Sequence, residues 1–258
     1  MGDAITVLGC SDQRGRYAVC SLRAEGAQAL GISRRTGTVP QQKSTRHLTL
    51  SAYGADESTR ALSRVRSVIV MLGMPYRARV WEEQWPKLIG AVLTAAARVG
   101  RAVTMLDNTD VYGRSGSPLT EQAPLPPRSE KGRARLAGWR LVAQAQADGQ
   151  DVLIGRAADV LGEASIRQSC RGRCCAQSSR VLGNRFGGSA TPQSDIRLLL
   201  PKIRQTRCRG ERGDYPVLHL PVLPPVNGWE FAEALAASLN AECVCARCVR
   251  GKSRCWRL

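Results

Sequence analysis

Aromatic residues make up only 5% of this 258-residue sequence, and histidine is rarer still, with two. His47 and His219 stand far apart and leave no ready Ser-His-Asp set. No apolar run reaches the roughly 18–20 residues of a membrane span. The opening residues, MGDAITVLG, lack the basic start and long apolar stretch of a secretion signal. Gly2 and Thr6 are spaced as in a myristoylation signal, but AITVLG reads better as a first β-strand. Without a secretion signal the expectation is a reducing, cytoplasmic setting with free thiols and no membrane partner. Cysteine is missing from residues 66–165, although the chain has ten. Acidic residues are missing from 243–258.

What is present is unevenly spread. The formal net charge is +17, which invites a nucleic-acid reading. Residues 66–165, however, hold 13 Lys and Arg against 10 Asp and Glu. Residues 166–212 hold 11 against 2, and 243–258 hold 5 against none. Those two segments therefore carry 14 of the 17 charges, and nucleic acid is not the expected partner of the rest. The same segments hold Cys170, Cys174, Cys175 and Cys208, then Cys243, Cys245, Cys248 and Cys255.

Hydrophobic residues at 43% suffice for a sizeable core. AITVLG, AQALGIS, SVIVML, AVTML and DVLIGR read as strands, several of them apolar throughout. Helical spacing fills the gaps. RYAVCSLRAEG ends at Gly26. In WPKLIGAVLTAAARVG, Pro86 suits the first turn, Leu88, Ala91, Val92 and Ala95 form an apolar face, and Gly100 closes it. SEKGRARLAGWRLVAQAQADG has Ser129 as its cap. Alternating strands and helices predict an α/β fold, a Rossmann-like doubly wound parallel sheet covered on both faces. Ligands then bind beyond the carboxyl ends of the strands. The reading closes this domain at residue 165 and assigns 166–258 to a small, partly irregular part on the substrate side. There PVLHLPVLPPVNGWEFAEALAASLNAE restores order, with His219 on a strand and Asn227 and Glu230 spaced as a capping box.

The first turn reads Gly9-Cys10-Ser11-Asp12-Gln13-Arg14-Gly15. Outer glycines six apart suit a dinucleotide turn, where backbone approaches a diphosphate and a helix packs on a strand. Asp12 stands where a middle glycine is usual. Arg34 and Arg35 follow the second strand, where an arginine suits the 2′-phosphate of NADP and an acid suits NAD. The cofactor expectation is NADP or NAD, with NADP slightly preferred.

The order of this turn, VIVMLGMPY, the strand into DNTDVYG, PPRSEKGRAR and DVLIGRAADVLG resembles the extended short-chain dehydrogenase/reductase family. It most resembles the NAD-dependent epimerase/dehydratase branch. The resemblance implies cofactor contact by Gly9, Ser11, Asp12, Gly15, Arg34 and Arg35, with Gly73 under the cofactor and Arg135 at its ribose. It also implies a small carbonyl or hydroxyl substrate, such as a sugar nucleotide, and hydride transfer. A homodimer is compatible with it. Counting back from Gly113 places Asn108 where the family carries a Ser or Thr. Tyr112 reads as structural. The family's Tyr-x-x-x-Lys pair becomes Lys131 and Arg135. Asn108, Lys131 and Arg135 therefore occupy the catalytic places with different chemistry, so the family's usual proton transfer by a tyrosine is not available.

Two alternatives follow. The loss of Tyr and Lys favours a catalytically silent protein that binds or senses dinucleotide and acts through a partner. The basic, Cys-rich segments suggest a nucleic-acid or zinc protein, since CVCARC with Cys255 supplies four thiolates. Its spacing is not that of paired knuckles, and no metal site is expected. Both segments, rich in Arg, Ser, Cys and Gly and without period, also read as a GC-rich gene translated out of frame, with the frame restored near Gly213. The other reading is a diverged basic substrate domain.

Overall fold

The computed structural model describes residues 4–10, 13–32, 55–75, 77–113, 119–161, 191–195, 217–220 and 222–226. The apolar runs become strands β1 (Ile5–Leu8), β2 (Ala29–Ile32), β3 (Ser67–Val70), β4 (Ala102–Asn108) and β5 (Val152–Ala157). Between them lie helices α1 (Gln13–Ala24), α2 (Ala55–Leu62), α3 (Ala78–Arg98) and α4 (Glu130–Ala147), with a 3₁₀ turn at Thr109–Val111. Strands β6 (Asp159–Leu161), β7 (Thr191–Asp195), β8 (Val217–His219) and β9 (Val222–Val226) follow.

Two compact units share the chain. The first is a six-stranded, wholly parallel sheet in the order β2-β1-β3-β4-β5-β8. The direction of winding reverses between β1 and its neighbours β2 and β3, so a crevice opens at the carboxyl end of β1. Strand β8 pairs with β5 through Ile154 and Val217, far beyond residue 165 in the chain. The second unit holds a three-stranded sheet, with β6 parallel to β7 and β7 antiparallel to β9. Residues 166–212 show no sustained period, yet β7 lies within them.

Helix α3 corrects the sequence reading. It begins at Ala78 rather than near Pro86, which sits inside it. Proline lacks the N–H that would bond the carbonyl of Glu82. The burial of Trp81 and Trp85, 3% and 1% exposed and one turn apart, carries the helix across that gap. Their rings lie 5.0 Å apart and join Leu88, Ile89 and Val92 in the core. Thr6, in the myristoylation spacing, is fully buried in β1. Cys10 is buried and Cys20 exposed. Among the described residues, no helix is long and apolar enough to cross a membrane and no cluster could hold a metal ion. Ser11, Asp12, Arg34, Arg35, His47 and the proposed capping box at Asn227 and Glu230 lie outside the described residues.

Candidate active site

At the carboxyl end of β1 the chain turns on Gly9, whose φ of 94° is costly for any residue with a Cβ. A Cβ there would stand 2.6 Å from the Met71 carbonyl oxygen. Gly15, on the first turns of α1, presses against the Gly9 carbonyl, and a Cβ on it would lie 2.7 Å from Cys10 Cα. Bare backbone and a helix N-terminus therefore meet at the crevice, a shape that receives a diphosphate. Gly73, just past β3, lies close by: a Cβ on it would stand 3.2 Å from Arg14 Nη2. Arg14 thus reaches across the backbone after β3, a neighbour the sequence reading missed.

The end of β4 is built from charges. Its apolar run stops at Asp107, 3% exposed, whose Oδ1 accepts from Arg135 Nη1 at 2.6 Å. Asn108 caps the 3₁₀ turn: its Oδ1 accepts from the Asp110 backbone N–H at 3.1 Å. Its Nδ2 donates to Asp110 Oδ2 at 2.8 Å. The same carboxylate oxygen accepts from Lys131 Nζ at 2.8 Å. Each polar residue that ends the strand thus has a task, as an anchor for α4 or as a cap. Burial alone would raise the Asp110 pKa. The Lys131 bond and charge, the Asn108 amide and Arg135 outweigh it and hold the carboxyl below its ordinary value.

Helix α4 is placed to meet these groups. The Ser129 Oγ accepts from Gly132 N–H at 2.9 Å, the predicted cap. Gly132 lets the first turn of α4 touch the Asp110 carbonyl, where a side chain would collide. Lys131 and Arg135, one turn apart, then face Asp110 and Asp107, three residues apart. Both cations also lie over aromatic rings, Lys131 at 5.4 Å from Trp81, and Arg135 at 4.7 Å from Trp81 and 5.1 Å from Trp85. The structure brings Asn108 and Lys131 to one atom, Asp110 Oδ2. Arg135 is 7% exposed and engaged with Asp107.

A second set of contacts continues inward. Arg156 on β5, 1% exposed, donates from Nη1 to Tyr112 Oη at 2.7 Å, and its Nε stands 3.5 Å from Asp107 Oδ2. Tyr112 Oη lies 2.7 Å from His219 Nε2. The Glu121 carboxylate accepts the His219 backbone N–H at 2.9 Å. Asp107, Asp110 and Arg156 escaped the sequence reading. The signal for the acids was an i, i+3 pair facing an i, i+4 pair of bases, legible only once β4 and α4 are known to meet.

A parallel sheet with reversed winding, a glycine turn at the reversal and polar groups at the strand ends define a Rossmann-type fold. Residues 5–180 match the model of the NAD dependent epimerase/dehydratase family, and the chain belongs to that family. Solved structures share its fold. A dTDP-glucose 4,6-dehydratase from Streptomyces venezuelae with NAD bound is 18% identical, with TM-score 0.74 over 93% of this chain and 82% of that one. A short-chain dehydrogenase/reductase superfamily protein from Agrobacterium tumefaciens with bound NAD is 18% identical, with TM-score 0.70 over 92% and 83%. A UDP-N-acetylglucosamine 4-epimerase from Bacillus cereus is 15% identical, with TM-score 0.71 over 93% and 86%. No curated protein matches the chain.

Proposed function

We propose that the chain binds NADP or NAD at the carboxyl end of its parallel sheet and acts in the cytoplasm on a sugar nucleotide or a similar small hydroxyl or carbonyl compound. The observation that carries this is the tight glycine turn at the switch point of the sheet, where a Cβ on Gly9 would strike the Met71 carbonyl and one on Gly15 would strike the Gly9–Cys10 backbone, so that α1 starts close against the end of β1. Gly9 and Gly15 would flank the diphosphate and Gly73 would lie beneath the cofactor; by resemblance to the family, Ser11 and Asp12 belong to the same turn, Arg34 and Arg35 would suit a 2′-phosphate, and Arg135 would serve the ribose. The bound cofactor would supply hydride transfer.

This chain's own groups supply the rest. The Asn108 amide and the Lys131 ammonium converge on one point, now taken by Asp110 Oδ2. A substrate oxygen at that point would receive two hydrogen bonds. Asp110, ionised while these two bonds hold it, keeps the Asn108 amide and the Lys131 ammonium aimed at that point. The ion pairs keep Lys131 and Arg135 oriented between substrate and cofactor sides.

A second reading, a silent dinucleotide-binding sensor, is favoured by the engagement of both motif cations with carboxylates. Calorimetry with NADPH and NADH tests both. We expect micromolar binding, tighter for NADPH. No binding of either by folded protein would sink the proposal. Binding without turnover on any sugar nucleotide, unchanged in Lys131→Tyr, would favour the sensor.

A further inference from the structure

Arg156 is almost wholly inside the first unit, and its buried guanidinium must find partners there. Its carboxylate partner is Asp107, which it shares. Asp107 Oδ1 is bonded to Arg135 at 2.6 Å, whereas Arg156 Nε stands 3.5 Å from Oδ2 and makes no hydrogen bond. Arg135 also has Asp110 Oδ2 at 3.9 Å, so Arg156 is the cation whose one carboxylate is shared and not hydrogen-bonded to it. The rest of the hold on Arg156 is neutral. Its Nη1 donates to Tyr112 Oη, and its guanidinium lies 4.9 Å from the centre of that ring.

A phenol oxygen that accepts from a guanidinium still has its own proton to place. The Thr120 carbonyl is 3.3 Å away and His219 Nε2 is 2.7 Å away. With its proton on Nδ1, a neutral His219 accepts through Nε2 at the shorter of these two distances.

We infer that His219 is a positioning residue: by accepting the Tyr112 proton it holds Arg156 on the phenol and leaves Asp107 to Arg135. The charged groups facing it come from each neighbouring element. Arg156 stands on β5, Tyr112 follows the 3₁₀ turn, and Glu121 lies in the loop before α4. Burial first, and Arg156 with it, press the His219 pKa below its ordinary value, against the pull of Glu121. Protonated, His219 aims an N–H at an oxygen that already accepts from Arg156, and adds a cation beside it. Tyr112 then turns to Thr120, Arg156 moves toward its one counter-ion, and Arg135 loses sole hold of Asp107. The link to cofactor rests on the proposed placement of Arg135 at the ribose; the relay itself does not.

Trp81 and Trp85 lie under the Arg135 guanidinium and report its position. The experiment is tryptophan emission of the full chain from about pH 8 to about pH 5, the range in which a histidine titrates. We expect one transition. His219→Gln keeps an acceptor but cannot titrate, and holds the neutral-pH signal throughout. His219→Leu shows the acid signal throughout. Tyr112→Phe gives a signal independent of pH and decides the matter if His219→Leu does not fold. Arg135→Met removes the transition. The inference is overturned if wild type shows no transition, or if the transition survives in His219→Gln or Arg135→Met. It is also overturned if Gln and Leu at 219 behave alike.

NADPH titrated into the same samples then tests the link. Several-fold weaker binding at the acid end in wild type, but not in His219→Gln, joins the relay to the cofactor, and equal binding at both ends overturns that link. No binding at either end overturns the proposed function and leaves the emission result standing.

Discussion

Asp107 is a buried carboxylate with a guanidinium on each oxygen. Asparagine at that place keeps the shape and removes the charge, leaving Arg156 without a carboxylate and Arg135 with only Asp110 at 3.9 Å. Asp107→Asn should cost about 3–5 kcal/mol of stability, read by urea unfolding; a loss below about 1 kcal/mol would show that water already screens the cluster. Asp110 and His219 predict how stability varies with pH. Both have folded-state pKa values below their ordinary ones. Each binds its proton more readily when unfolded, so each contributes stability that is complete above its ordinary value and lost as pH falls through the lowered one. Melting temperature should therefore fall in two stages on acidification, one below about 6.5 and one below about 4. His219→Gln should remove the first stage and Asp110→Asn the second. A single stage unaffected by either substitution would contradict the assigned partners.

At the scale of elements, the site depends on how α4 begins. Ser129 caps the helix and Gly132 admits the Asp110 carbonyl, and together they fix which turn of α4 faces β4. A methyl group at 132 must push the helix off that carbonyl and off Pro127. Gly132→Ala should cost about 1–3 kcal/mol and weaken both ion pairs at once, so the acid stage assigned to Asp110 should shrink. If the melting curve and its pH dependence are unchanged, the close approach has no energetic weight. The predicted cap at Ser129 holds, because capping is local chemistry written in adjacent residues. Helix α3 starts before the proline that marks a first turn, because proline is a local signal, whereas the two buried tryptophans that prolong the helix act through tertiary packing.

For the whole molecule, β8 matters most. It comes from residues 217–219 yet closes the edge of the sheet beside β5, and it brings His219 to Tyr112. A chain stopped at residue 165 would leave β5 as an open edge and Arg156 beside a phenol without its acceptor. Such a fragment should self-associate in gel filtration and melt well below the full chain. A monomeric fragment with the full chain's melting temperature would show that β8 contributes nothing.

The sequence by itself determined the alternation of strands and helices, the glycine turn after β1, the cap on α4 and the family. These follow from periodicity, turn chemistry and short motifs, which act over a few residues. By resemblance it assigned Lys131 and Arg135 to the places of the family's Tyr and Lys. Only the tertiary structure decided what those two cations do. Asp107 and Asp110 are ordinary acids at a strand end until α4 is laid against β4, and His219 is an ordinary strand residue until β8 pairs with β5. Ion-pair and hydrogen-bond partners separated by 21 to 107 residues leave no local trace, because the energy that pairs them depends on burial and distance, which exist only in the folded sheet.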